Sequence, residues 1–472
     1  MLGMAQPAPE LDQRPPHGVA TGFLLLYLFL LMSRGVEILG IIVNLRLTLI
    51  LMIVCILAAI LTGGLLQSAR TPIVLMFTFL TCWFMLATLT SQWRGGSVKI
   101  LLAYWITSFA CSLLVPSLIS TLDQCRKLCY VLGFSLLPIL LATVLFQSQI
   151  QGRDSTLYGT LGNPNDLAFS LLLLIPFAVF VMQGESWVSW KTIVCGLAIV
   201  FSIIRTLRTG SRAAVFSIAA CLVLLFLSGG LKTKLKVLAA TALMAAIALA
   251  FVSDSTLRRY STVFSGTSYE EGMSVDEFSA IESTRARKML FEESIRIMFE
   301  HPLFGVGPGI FSASLAEEQA KRGERQTWHE AHNSFTQLGS EAGIPALCIY
   351  LGIVIYSLKR TVSTYLLTRN DPNRILICRM AGTLVMALLV FTICATFGTY
   401  SYTFHLPVLA GLVQAFDVCA RREMSKTQAV APLGLETRLA LPSLTTQALT
   451  TQALAPQASN YVRNRRLRNS RP

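Results

Sequence analysis

Twelve apolar runs with few or no charges recur along the chain, near 20–33, 47–64, 72–91, 100–120, 128–147, 166–183, 188–204, 213–229, 237–252, 336–357, 376–397 and 403–418. A helix needs roughly 20 such residues to cross hydrocarbon. The pattern therefore predicts an all-α polytopic membrane protein with about twelve transmembrane helices. Asn44 and Arg46 interrupt the stretch 36–66, which reads as one long helix or as a re-entrant piece followed by a helix. Between the ninth and tenth runs lies one long polar stretch, 254–334. Inside it, 283–300 has helical spacing, with Leu290, Phe291, Ile295, Met298 and Phe299 as an apolar stripe that ends at Pro302 and Gly305. The chain thus divides into a polar tail (1–19), nine helices (20–252), a large loop with short helices (253–335), three more helices (336–418) and a basic tail (419–472).

Composition agrees. Of 472 residues, 53% are hydrophobic and 14% charged, against about 25% charged in a soluble domain. The N-terminal tail holds four prolines, and no small-residue cleavage site follows the first apolar run, which reads as a retained anchor. All eleven cysteines lie in or beside apolar runs and none in the loop, so no disulfide framework or Cys-based metal site is indicated. Net charge is +14, and the segment after Ala420 carries nine Lys/Arg against Glu423 and Glu436. Its middle repeats Thr-Thr-Gln-Ala-Leu at 445–449 and 450–454, a low-complexity pattern without a core. Contact with anionic lipid at the inner face is expected of this tail, rather than nucleic-acid binding.

Lys/Arg in short loops mark the cytoplasmic side. Lys232, Lys234 and Lys236, and then Lys359, Arg360, Arg369, Arg374 and Arg379, fix their loops inside. The long loop then faces outward, as do Gly162-Asn-Pro-Asn-Asp166 and Arg208-Thr-Gly-Ser-Arg212, while Arg94 and Lys99 fall on the outer side against the rule. Helices six, eight and ten begin at that face, where free N–H groups and a partial positive charge favour an anion. Asn165 or Asp166 is placed to cap helix six, and Arg212 falls in the first turn of helix eight.

The candidate chemistry gathers there. Arg205, Arg208 and Arg212 sit at the edge of hydrocarbon, where a charge marks a ligand or a snorkelling anchor. Arg205 and Arg208 suit anchoring; Arg212, with apolar sequence running on from Ala213, is harder to dismiss. Arg285 and Arg287 fall near a helix start, which disfavours a cation unless an anion is close or Glu282 or Asp276 pairs with it. His301-Pro-Leu-Phe-Gly-Val-Gly-Pro-Gly309 lacks the Gly-Lys-Ser/Thr of a nucleotide loop and reads as a tight turn packing the loop against the membrane. In Trp328-His-Glu-Ala-His-Asn-Ser334 the histidines are three apart, whereas a zinc-protease helix needs four, so no metal is expected. His332 suits a general base, or it caps helix ten.

Gly162-Asn-Pro-Asn-Asp166, Thr209-Gly-Ser-Arg212, the 301–309 turn and Ala331-His-Asn-Ser-Phe335 followed by Glu341-Ala-Gly-Ile-Pro345 together resemble the O-antigen ligase and polymerase superfamily, over about 155–360. The resemblance implies a metal-independent, inverting glycosyltransferase of the bacterial inner membrane with its active site facing the periplasm. It would take a glycan from undecaprenyl diphosphate and join it to a hydroxyl of lipid A core or another acceptor, with no cofactor and no nucleic acid. It implies His332, Arg212 and Arg285 as catalytic residues, with Arg287 two positions from the last. Arg208, Asn163, Asn165, Arg287 and Asn333 are the candidate substrate-binding residues. A polymerase joining lipid-linked repeats shares these motifs. An anion transporter would instead need charge at mid-membrane and broken helices.

Overall fold

The computed structural model describes residues 18–38, 46–150, 152–157, 159–261 and 275–430. Residues Met1–Arg422 form one compact unit and Glu423–Pro472 a second; the repeats and basic positions beyond 430, and Asn44, lie outside the described residues. The described chain is mostly helical with a single two-stranded sheet.

Each of the twelve apolar runs coincides with a helix. In chain order these are α1 (Gly18–Met32), α2 (Leu47–Leu61), α3 (Pro72–Leu89), α4 (Arg94–Leu118), α5 (Leu122–Leu145), α6 (Pro164–Gln183), α7 (Trp190–Arg208), α8 (Arg212–Ser228) and α9 (Leu231–Phe251). Three loop helices follow, α10 (Asp254–Ser261), α11 (Val275–Glu300) and α12 (Phe311–Lys321), and then α13 (Ser334–Thr368), α14 (Pro372–Ala395) and α15 (His405–Val430). Among the described residues eight helices are long and apolar enough to cross a membrane, and α1, α2 and α8 are shorter apolar helices. The chain is a multi-pass membrane protein with an all-α architecture.

α6 is the centre of the bundle and packs on α5, α7 and α14. Asn163 caps it, accepting from the Asn165 N–H at 2.9 Å, with Pro164 at the first helical position. This corrects the expectation that Asn165 or Asp166 would cap, because a proline at N1 needs no N–H partner and puts the cap one residue before it. α9 is peripheral, with Leu231, Leu243 and Leu249 exposed, as suits a lipid-facing helix.

The glycine-rich turn packs against a break in α13, not simply against a membrane surface. Gly343 has φ +82° inside that helix and Pro345 follows it, so carbonyls are released from the helical ladder. Val306 N–H donates to Ser340 O (2.9 Å), Gly307 N–H to Glu341 O (2.9 Å) and Trp83 Nε1 to Ala342 O (2.9 Å). A Cβ on Gly305 would lie 2.3 Å from the Glu341 carbonyl carbon, and one on Gly307 2.0 Å from Ser91 Oγ. Only glycine allows that approach at φ +62° and +120°. The Glu341 carboxylate, 2% exposed, then accepts from Gly309 N, Phe311 N and Tyr402 Oη, closing the turn and the start of α12. Above it, Leu290, Ile297, Val306, Ile310, Phe311, Leu315 and Ala331 form the loop's own core, the larger of them worth roughly 1.5–3 kcal/mol each.

Candidate active site

A cleft of about 480 Å³ opens between the hairpin formed by β1 (Gln147–Ile150) and β2 (Arg153–Thr156), the start of α6, the middle of α11 and the strap before α13. These supply, respectively, Ile150 and Arg153; Gly162, Asn163, Pro164 and Asn165; Ser283, Ala286, Arg287 and Leu290; and His329 and His332. The starts of α6, α8 and α13 lie in or beside it.

Helical phase decides which arginine of α11 faces the cleft. Among the buried or cleft-lining positions, Ala280, Ser283, Arg287, Leu290, Ser294 and Ile297 are alternately three and four apart, with Ile281 and Ala286 flanking that line. Arg285, two residues from Arg287 and so about 200° around the helix, is on the other face. Its guanidinium is 4.0 Å from Glu282 and its side chain is 45% exposed. The same phase corrects the expected stripe: Leu290 is buried, whereas Phe291 and Phe299 are exposed. An aromatic residue counts as apolar in a pattern but is not thereby turned inward.

Arg287 stands in a cluster of cations. Burial, followed by the charges of Arg259, Arg287 and Arg212, lowers Arg153 to about 9. Burial and then Arg259 lower Arg287 below the ordinary arginine range. Arg153 Nε donates to Thr209 O at 2.6 Å and Nη2 to Asn165 Oδ1 at 2.9 Å, tying the α7–α8 turn to the start of α6. Arg212, the first residue of α8, donates to Thr284 Oγ1 at 2.7 Å and to Ala280 O at 3.4 Å, and adjoins the cleft without lining it. Gly210, at φ +61°, lets Arg153 and Arg259 pass close by. No carboxylate among the described residues pairs with Arg153, Arg212 or Arg287.

Arg208 is placed differently. Its Nε lies 3.0 Å from Asp154, whose carboxylate also takes Arg205 Nη1 at 2.8 Å. Asp154 is buried, so this three-membered set fixes β2 on α7, and Arg208 does not line the cleft.

His332 has φ +50°, a left-handed backbone costing an L-residue roughly 1–2 kcal/mol. Residues on both sides hold it there: Ala331 is in the loop core, and Ser334, two positions on, is fully buried and bonded to the 398–401 segment. Burial, then the charges of Arg287 and His329, lowers its pKa to about 4, leaving a neutral imidazole at pH 7. It does not cap α13. Asn333 does, its Oδ1 accepting from Phe335 N (2.9 Å) and Thr336 N (3.1 Å); that oxygen is therefore occupied by the backbone.

Two residues of the cation cluster went unnoticed in sequence. Arg153 opens β2 beside Gly152, at φ +71°, for which the Gln-Gly dipeptide in the sequence was a weak turn signal. Arg259 is on a short helix whose packing nothing local announces.

No curated protein matches the chain. Residues 197–351, about a third of the chain and including Arg212, Arg287 and His332, match the family model described as O-antigen ligase. That family indicates an O-antigen ligase-like or polymerase-like glycosyltransferase of polysaccharide biosynthesis, acting on lipid-linked glycan and acceptor substrates in general. The match supports assigning the chain to the O-antigen ligase and polymerase superfamily.

Proposed function

We propose that this protein transfers a glycan from undecaprenyl diphosphate to an acceptor hydroxyl at the periplasmic face of the bacterial inner membrane, as an O-antigen ligase does. The observation that carries the reading is the cleft in which neutral His332 meets Arg153 and Arg287, two guanidiniums that no described carboxylate neutralises. Such a cluster is electrostatically unfavourable when empty and gains most from a multivalent anion.

In the proposed reaction the acceptor oxygen attacks the anomeric carbon from the side opposite the diphosphate. The new carbon–oxygen bond forms as the bond to the diphosphate oxygen breaks, and the configuration inverts. A ring nitrogen of His332 receives the hydroxyl proton, and the departing diphosphate carries away the bonding pair. Arg287 and Arg153 face the charge that builds on that group, and Arg212 and the N-terminus of α6 add to the field. Asn163 and Asn165 line the same wall. Guanidiniums supply the charge stabilisation that a metal supplies elsewhere, so the reading is metal-independent. Arg287, not Arg285, takes the role of the loop-helix arginine. Arg208 serves the fold through Asp154, and Asn333 serves by capping the helix that presents His332.

A polymerase uses the same chemistry with a second lipid-linked glycan as acceptor. Transfer from purified undecaprenyl-diphosphate donor, offered either core lipid or more donor, separates the two: product on core lipid means a ligase, a ladder of longer lipid-linked glycans a polymerase. Transport draws on the broken helix α13, but its freed carbonyls already accept from Val306, Gly307 and Trp83, which leaves them unsuited to an ion.

A further inference from the structure

His332 must be held both in a disfavoured backbone conformation and at a fixed distance from the wall that carries Asn163, Asn165 and Arg153. The core around Ala331 fixes it only from the N-terminal side. From the C-terminal side the hold comes from the connector 396–404 between α14 and α15. Ser334 Oγ donates to Gly398 O (2.7 Å) and accepts from Tyr400 N (2.8 Å), and Ser401 Oγ donates to Ser334 O (2.7 Å).

Tyr400 carries this hold across to α6. Its ring stacks on Phe169 with centroids 4.1 Å apart, and its Oη donates to Asp166 Oδ1 at 2.9 Å. Asp166 is in the first turn of α6, one residue past the cleft-lining Asn165. Among the described residues no cation lies within ion-pair distance of Asp166; the charges that reach it are those of Arg34, which pairs with Glu37, and of Glu330. A half-buried carboxylate whose described partner is a phenol is a costly arrangement, and here it is the direct link between the two walls. We propose that Tyr400 and Asp166 are positioning residues for His332, their hydrogen bond setting the spacing between the α6 wall and the base.

The proposal rests on the transfer reading for its consequence but can be tested without it. In the full chain with isotope-labelled histidine, the His332 resonance is assigned by its loss in His332→Asn, and its titration is followed by NMR. The wild-type midpoint is expected near 4, with Arg287 and His329 the charged groups facing the ring. In Tyr400→Phe, and separately in Asp166→Asn, the ring gains water and the midpoint moves by a unit or more towards 6.5, the ordinary value. Transfer kcat should fall by about tenfold or more in both, with donor affinity within about twofold, as misplacement of a catalytic group predicts. The double variant should be no worse than the worse single one. An unchanged midpoint in both variants, even with a lowered thermal midpoint, would mean a merely structural bond and overturn the proposal. If the midpoint moves but the wild type transfers no glycan, the positioning stands and the transfer reading fails.

Discussion

Replacing Arg287 by Gln and, separately, Arg285 by Gln changes the same charge on the same helix two residues apart, and the two should have opposite consequences. Arg287 lines the cleft, whereas Arg285 is 45% exposed with Glu282 4.0 Å away. A charge-assisted contact to a bound anion is worth about 1.5–3 kcal/mol, so Arg287→Gln should lower kcat/KM for a lipid-diphosphate donor by roughly 10- to 150-fold. An exposed pair contributes about 0–1 kcal/mol at most, so Arg285→Gln should change kcat/KM by less than about fivefold. Stability without ligand adds a second criterion. Arg287 is penalised by burial and by Arg259, and it in turn disfavours the charge on Arg153 and Arg212. Removing it should hold or raise the thermal midpoint of the empty protein while lowering activity. The assay is transfer from purified donor in detergent, with thermal unfolding alongside. Equal loss in the two variants, or a large loss of stability in Arg287→Gln, would refute the assignment by helical phase.

Further outcomes are expected. His332→Ala should abolish transfer, and His332→Gly, which relieves the φ +50° backbone, should do so at equal or higher thermal stability; retained transfer in either removes the imidazole from the mechanism. Because burial holds His332 near 4 instead of 6.5, kcat/KM should stay level from pH 7 to about 5 and fall only as the base is protonated near 4; the bound anionic donor should raise the limb seen in kcat above that in kcat/KM. The sign for stability follows, since the unfolded chain binds this proton first and the folded state loses stability as pH falls from 6.5 towards 4. Gly343→Ala puts a Cβ 2.0 Å from Leu303 O at φ +82° and should destabilise by more than about 3 kcal/mol, read as a lowered thermal midpoint; EDTA should leave transfer unchanged, and inhibition would point to a metal.

Each apolar run fell on a helix, because a membrane span is specified by composition over its whole length, whereas periodicity placed only 283–300 of the loop helix α11 (Val275–Glu300). The helix starts near 164, 212 and 334 were legible from local sequence, but the capping residues were misplaced by one to three positions: Asn163, not Asn165 or Asp166, caps α6, and Asn333, not His332, caps α13. Arg287 was readable in principle, since Ser283 and Leu290 are four residues before it and three after it on one face. The stripe drawn through Phe291 and Phe299 obscured it by counting aromatic character as burial. Other parts were not local at all. Nothing near Glu341 in sequence shows that it receives the N–H groups of Gly309 and Phe311. Nothing near Arg208 shows that Asp154 pairs with it. Tyr400 and Asp166 are 234 residues apart, and only the packing of α14 on α6 brings them together.

The central claim, a glycan passed from a lipid diphosphate with His332 as base, is tested most directly by single-turnover transfer with wild type and His332→Ala at saturating undecaprenyl-diphosphate donor, with donor binding measured on both. The account predicts that both bind donor with similar affinity and only the wild type forms the inverted glycosidic product. Equal product from both, or no binding of donor by either, would contradict it.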